Sequence, residues 1–247
     1  MDWQIIWDSL PELLGGLQLT VEITALSVAI GLVLAVPLAI LRLHPNPLIW
    51  TPVYGFIFFF RGTPLLVQLF LIYYGSGQFS AELRAIGLWG MFREAYFCGV
   101  LTLTLNTAAY TAEILRGAIQ GVSHGEVEAA RACGMSGRLL YRRIIIPKAF
   151  RLAWPAYTNE VIFLLQATSL VSIITLMDIT GVASKIASST FAFYELYLTA
   201  AVLYLILVYG LLAVFKRIEW RISGHLREAK DVQPPEGAPE VPGPQMR

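Results

Sequence analysis

Residues Ser123 to Pro147 read S-H-G-E-V-E-A-A-R-A-C-G-M-S-G-R-L-L-Y-R-R-I-I-I-P, a polar and basic stretch set between long hydrophobic ones. Ser123 and Glu126 have the spacing of a capping box, in which a hydroxyl and a carboxylate reciprocally satisfy two backbone amides at a helix start. A short helix is expected from about His124 to Cys133. Gly134 then falls where a helix C-terminus favours positive φ. Ser136 is placed to cap a second helix through Leu139, Leu140 and Arg143, expected to stop near Pro147. By composition alone this is a solvated amphipathic hairpin that links its neighbours.

Those neighbours set the fold class. The chain has 247 residues, of which 56% are hydrophobic and 14% charged, with a mean hydropathy of +0.63. An ordinary soluble domain carries roughly 25% charge, so part of the solvent here is lipid. Five transmembrane helices are expected: Leu19–Leu43, about Leu48–Tyr74, Ala95–Leu115, roughly Ala156–Leu176 and Leu196–Phe215. Each is long enough to cross a hydrocarbon core at ~1.5 Å per residue. The expectation is an all-α integral membrane protein. No internal repeat of the kind that builds many secondary transporters is visible.

Lys and Arg orient it. Arg42 follows the first span. Arg116, Arg131, Arg138, Arg142, Arg143, Lys148 and Arg151 follow the third, and Lys216, Arg217, Arg221, Arg227, Lys230 and Arg247 follow the fifth. Arg84, Arg93 and Lys185 fall in the opposite loops. The N-terminus is therefore expected outside, the C-terminus inside, and the basic hairpin in the cytoplasm. Residues 1–18, acidic at Asp2, Asp8 and Glu12, form an outer N-terminal segment without the basic start of a cleavable signal peptide. Residues 19–220 form the membrane domain. Residues 221–247, with Pro234, Pro235, Pro239, Pro242 and Pro244, are expected to be a disordered cytoplasmic tail.

Several chemistries lack support. Cys98 and Cys133 are far apart and away from His44, His124 and His225, so both read as free thiols and no metal or other cofactor is expected. A net charge of +1 gives no case for nucleic acid. No G-x-x-x-x-G-K-[ST] is present, so the chain has no phosphate cradle for ATP.

The hairpin carries a resemblance. Glu128-Ala129-Ala130, three residues, Gly134, nine residues, Ile144, one residue and Ile146-Pro147 resembles the EAA-x3-G-x9-I-x-L-P loop of permease subunits from ABC importers, with Ile146 in place of Leu. Phe60-Arg61-Gly62-Thr63-Pro64-Leu65-Leu66-Val67-Gln68 looks like the F-R-G-T-P-L segment of the polar amino acid subfamily, which imports histidine, glutamine, arginine and opines. So does Asn159-Glu160-Val161-Ile162 followed by Thr168-Ser169-Leu170, although this chain has Gln166-Ala167 where many members have Lys before T-S-L. His124-Gly125-Glu126 and the Tyr194-to-Tyr204 stretch look most like the histidine, arginine and opine permeases.

The resemblance implies a type I ABC importer permease fold in a bacterial inner membrane. It implies docking of Glu128, Ala129, Ala130, Gly134, Ile144 and Pro147 on a cytoplasmic ABC ATPase dimer. It also implies a second, similar or identical permease and a periplasmic amino acid-binding protein. The chain itself is then no enzyme. It is an ATP-coupled permease for polar, in particular basic, amino acids or opines. A self-contained secondary transporter or channel is the alternative, and a membrane scaffold a third.

Intramembrane polar residues are costly and usually face protein or a cavity. Glu160 reads either as a substrate contact on the pathway, as the resemblance implies, or as half of a structural ion pair with Arg61 or with another helix. Asn159 and Gln166, seven apart, share a helix face and either line the path or bond a partner subunit. Arg61, beside Gly62 and Pro64, marks a break in the second span or snorkels to the interface. The third span has one polar stripe at Thr104, Thr107 and Thr111 and another at Asn106, Tyr110 and Glu113, which argues for packing against protein.

Overall fold

A computed structural model describes residues 3–222, so the expected 221–247 tail lies outside the described residues beyond Ile222. These residues form helices α1 (Trp3–Arg42), α2 (Pro47–Gly62), α3 (Leu65–Tyr73), α4 (Ser80–Ala85), α5 (Trp89–Phe92) and α6 (Ala95–Gln120). Then come α7 (His124–Ala132), α8 (Gly137–Leu140), α9 (Ile146–Ala167), α10 (Ile179–Thr190) and α11 (Phe193–Ile222). No strand occurs among the described residues.

The bundle is organised by α6. Thr104, Thr107 and Thr111 of one polar stripe and Asn106 of the other, together with Cys98, Gly99, Leu103, Ala108, Ala109 and Ala112, are buried, while Tyr110 and Glu113 are half-buried, so the helix meets protein on most sides. Of the five expected spans, α6 is the one too polar to be judged a crossing by length and apolarity. Three helical stretches meet that test, Trp3–Arg42, Gly137–Ile174 and Phe193–Arg221, with α2 and α3 a fourth if the bent pair is one span. Thr102 and Asn106 of α6 are hydrogen-bonded locally or to neighbours, whereas the buried Thr104 hydroxyl has no hydrogen-bond partner. Thr102 Oγ1 donates to the Cys98 carbonyl at 2.7 Å, which removes the cost of a bare hydroxyl in an apolar core.

Helix α1 is longer than the expected Leu19–Leu43 span and runs unbroken from Trp3 through the segment read as a separate N-terminus. Apart from Leu13 and Ile23, its buried seam is made of small residues: Ser9, Gly16, Thr20, Thr24, Ser27, Gly31, Ala35 and Ala39. Small seams let helices approach closely where lipid supplies no hydrophobic drive. Two glycines make this literal. A Cβ on Gly31 would lie 2.4 Å from Thr107 Cγ2, and one on Gly16 would lie 2.8 Å from the backbone carbonyl carbon of Asp178.

The expected second span is two helices. α2 ends at Gly62, α3 begins at Leu65, and the axis turns by 108° between them. The expected fourth span begins earlier than Ala156. The hairpin's second helix does not stop near Pro147. A π-helical turn over Tyr141–Ile145 carries α8 into α9, which leads on through a 3₁₀ segment, Thr168–Ile174. The wider turn lets the Ile146 amide reach back to the Tyr141 carbonyl. Pro147 then sits in the first turn of α9, where a missing N–H costs least.

Helix α10 was not anticipated. Its N-cap, Asp178, is fully buried and accepts from the Gly181 amide at 2.9 Å. Tyr204 of α11 donates to the second carboxylate oxygen at 2.8 Å. Leu13, Ile179, Val182, Ala183, Leu196 and Ala200 form the apolar core around this node.

Candidate functional site

Two regions hold the residues singled out in the sequence: the α7–α9 hairpin and a cavity beside the α2–α3 break.

In the hairpin, α7 ends at Ala132 as its sequence requires. Gly134 has φ of +83°. Its amide donates to the Arg131 carbonyl at 2.9 Å, and the Met135 amide donates to the Ala130 carbonyl at 3.0 Å. This paired 5→2 and 6→1 closure is a Schellman motif, and Met135 packs in the same apolar cluster as Ala130. The expected capping box does not form. The Ser123 side chain makes no cap hydrogen bond, and Glu126, the other half of the box, is ion-paired with Lys148 of α9 instead. Ser136 likewise sits at the start of α8 without a side-chain cap bond.

The Glu126–Lys148 pair and the cluster of Ala118, Val122, Ala130, Leu140, Ile145 and Ala149 hold α7 against the ends of α6 and α9. The two alanines therefore differ. Ala130 is buried in the hairpin's own core, while Ala129 faces out beside Glu128. Gly134 and Pro147 are exposed and Ile144 is half-buried. The outward ridge is Glu128, Ala129 and the glycine turn.

The cavity has a volume of about 410 Å³. It is lined by Thr63, Pro64 and Leu65 from the break, Asn106 and Tyr110 from α6, and Glu160, Phe163, Leu164 and Ala167 from α9 and its end. Glu160 is 9% exposed, and the Thr107 side chain faces its carboxylate. Asn159 and Gln166 are exposed, and the structure does not bring them to this cavity. Gln166 lines a second cavity of about 360 Å³ with Ser169, Thr180, Tyr197 and Tyr204.

The break is held by a residue to which sequence reasoning gave no role. Gln68 is 1% exposed. Its amide nitrogen lies 2.8 Å from the Phe60 carbonyl, 3.1 Å from the Thr63 carbonyl and 2.8 Å from Thr63 Oγ1. Asn106 Nδ2 donates to Gln68 Oε1 at 2.9 Å and reaches the Phe60 carbonyl at 3.3 Å. Carbonyls freed by a helix break must find partners in a membrane bundle, and this amide pair supplies them. A glutamine four residues after Pro64 and an asparagine in a polar stripe were the only signals.

Glu113 is the second residue missed as a centre. Arg116 holds its carboxylate in a fork, with Nη2 at 2.7 Å and Nε at 3.0 Å from each oxygen. Arg42 approaches it at 3.6 Å and Arg61 at 3.9 Å. Arg42 also stacks 5.0 Å from the Trp50 ring centroid and 4.6 Å from that of Tyr54. Arg61 lies 5.2 Å from the Tyr110 centroid.

A family model described as the binding-protein-dependent transport system inner membrane component matches residues 27–224. The chain belongs to that family. It is a multi-pass inner-membrane permease component with the type I ABC permease fold. The nopaline transport system permease protein NocM of Agrobacterium fabrum is 47% identical over 227 residues, covering 92% of this chain and 94% of that one. The histidine/lysine/arginine/ornithine transport system permease protein HisM of Escherichia coli K12 is 46% identical over 214 residues, covering 86% and 89%. A crystal structure of an amino acid ABC transporter with histidines superposes with a TM-score of 0.80 at 35% identity, over 90% of this permease and 99% of that chain. The MetNI methionine transporter shares the fold, with a TM-score of 0.70 at 20% identity.

Proposed function

We infer that this chain is the permease subunit of an ATP-driven importer for basic amino acids or opines, paired with a second, similar or identical permease. ATP is hydrolysed on a separate cytoplasmic ATPase dimer, and a periplasmic binding protein delivers the substrate. The relatives named for nopaline and for histidine, lysine, arginine and ornithine transport support the substrate class. In this reading the chain makes five passes, with the N-terminus outside and the hairpin and C-terminus in the cytoplasm, as the distribution of Lys and Arg favours.

The observation that carries the reading is continuity. The hairpin's second arm, with Ile144 and Pro147, and Glu160 belong to one helical run, Gly137–Ile174, and the ridge on α7 is packed onto that arm. Ile144 and Glu160 are separated by roughly 24 Å at ~1.5 Å per residue. A force applied by a docked ATPase at Ile144 and Pro147 acts on the same helix that lines the cavity, and one applied at Glu128, Ala129 and Gly134 reaches it through the packing of α7 on that helix. ATP-driven approach of two such hairpins then selects between two arrangements of the bundle. Within the cavity, Glu160 supplies the carboxylate for a guanidinium, imidazolium or ammonium group. Asn159 and Gln166 lie outside it, on a surface suited to the second permease.

The test is transport by the reconstituted complex of permeases, ATPase and binding protein. ATP-dependent uptake should require the ATPase, and a cysteine at Ala129 should crosslink to it. Glu160→Gln should lower arginine uptake by roughly tenfold or more while sparing glutamine, the scale of one lost charge-assisted contact. Equal losses for both substrates would assign Glu160 to structure instead.

A further inference from the structure

Arg61 pairs with Glu113 at 3.9 Å and lies beside the ring of Tyr110, a residue that lines the Glu160 cavity. Glu113 does not need it: that carboxylate is already forked by Arg116 and approached by Arg42. The Arg61 contact, at 3.9 Å, is the longest of the three, and the Arg61 side chain is 44% exposed. Its backbone, by contrast, is fixed. The Tyr110 hydroxyl reaches the Arg61 carbonyl at 3.4 Å, and the Gln68 clamp holds the carbonyls on either side. A long cationic side chain therefore extends from an anchored root. It lies 5.2 Å from the Tyr110 ring centroid, and Tyr110 and Glu160 line the same cavity.

We propose that Arg61 is a specificity-determining residue, a tethered counter-ion that occupies the Glu160 side of the cavity until a cationic substrate displaces it toward Glu113. The proposal rests on the reading of Glu160 as the substrate carboxylate. Its physical content is competition. With the guanidinium turned in, the cavity is neutral and Glu160 is paired. With it turned out, one buried negative charge is open. A cationic ligand binds only the second state, so its apparent affinity is reduced by the fraction of time Arg61 is turned in. A neutral amino acid gains nothing from an open Glu160. Glu113 acts as the parking site, and the excess of three arginines over one carboxylate keeps that parking loose.

Two substitutions therefore act in opposite directions. Arg61→Gln removes the competitor and leaves Arg116 and Arg42 on Glu113. Direct binding of L-arginine to the detergent-purified permease–ATPase complex, without binding protein, should tighten by roughly tenfold, and L-glutamine binding should stay within about twofold. Glu113→Gln weakens the parking site and should loosen L-arginine binding. In the Glu160→Gln background, Arg61→Gln should have no further effect, the non-additivity expected of groups that share one contact. Should Glu113→Gln fail to assemble, the Arg61→Gln and double-variant measurements decide the matter alone. Unchanged or weaker arginine binding in Arg61→Gln, or an equal gain for glutamine, overturns the proposal. If Glu160→Gln discriminates arginine from glutamine while Arg61→Gln does nothing, only the counter-ion is wrong. If Glu160→Gln does not discriminate them, the substrate reading falls with it.

Discussion

Replacing Gln68 by Leu tests whether the α2–α3 break is held by the amide clamp. The side chains are similar in size, so the change removes hydrogen bonds with little change in packing. The Gln68 amide nitrogen has two protons shared among three acceptors, and its oxygen accepts one bond from Asn106. Three bonds at ~0.6 kcal/mol each in a membrane bundle give about 2 kcal/mol. Phe60 keeps its second donor, Asn106, at 3.3 Å, and Thr63 Oγ1 keeps its own bond to the Phe59 carbonyl at 2.8 Å. The Thr63 carbonyl loses its donor, which adds about 1 kcal/mol. The expected loss is thus about 2–4 kcal/mol in reversible SDS unfolding of the purified subunit. Asn106→Leu removes one bond in common, so the double variant should cost less than the two single variants together. Because Thr63, Pro64 and Leu65 line the cavity, transport should fall in parallel. A loss below about 0.5 kcal/mol, or strictly additive losses, would show that the bend is held by packing alone.

Gly16→Val should reduce the yield of folded protein and destabilise it by about 1–3 kcal/mol, since even a Cβ would stand 2.8 Å from the Asp178 backbone and that neighbour cannot rotate away; wild-type thermal stability would contradict the close α1–α10 contact. Gly134→Asp meets open space, so its cost is the φ of +83°, about 1–2 kcal/mol. It should leave membrane insertion intact while lowering ATPase co-purification and transport, and full coupling in this variant would refute the role given to the turn. Cys133 is exposed and Cys98 is buried with its thiol on the Phe92 carbonyl at 3.2 Å. A membrane-impermeant maleimide should therefore label Cys133 in opened vesicles and spare Cys98 until the protein is unfolded, with bound ATPase slowing the reaction; labelling of Cys98 in the folded state would refute the packing described for α6.

The helical class of the bundle was legible because length and apolarity are properties of a segment by itself. Gly134 was legible for the same reason: a glycine after a helix-forming run answers a local backbone demand. The continuations were not. Pro147 reads as a stop in any one-dimensional scan, and it would be one in an α-helix, where its ring meets the carbonyl four residues back. Here Tyr141–Ile145 widens to a π turn and the helix passes through. Nothing in I-I-I-P announces this, because the turn is held from outside, by Ile145 and Leu140 packing on α6 and α7 and by Lys148 reaching Glu126. The capping box failed from the same cause. Glu126 has the spacing to bond the Ser123 amide, but a lysine one helix away offers a full charge, and the stronger partner wins.

The site divides along the same line. Glu160 was found because a carboxylate in an apolar span is conspicuous alone. Glu113 was not, because its meaning lies in three arginines delivered by α1, α2 and α6. That difference bears on how the cavity works. A lone buried acid would bind a cation tightly and release it slowly, which is a poor property for a transporter. On the proposed reading, a second carboxylate within reach of one tethered guanidinium turns release into an exchange of partners: Arg61 returns to Glu160 as the substrate leaves, and Glu113 falls back on Arg116 and Arg42. The buried charge is then never left open for long on either side of the cycle, and the rate of escape is set by an intramolecular ligand whose local concentration does not depend on what the cell is importing.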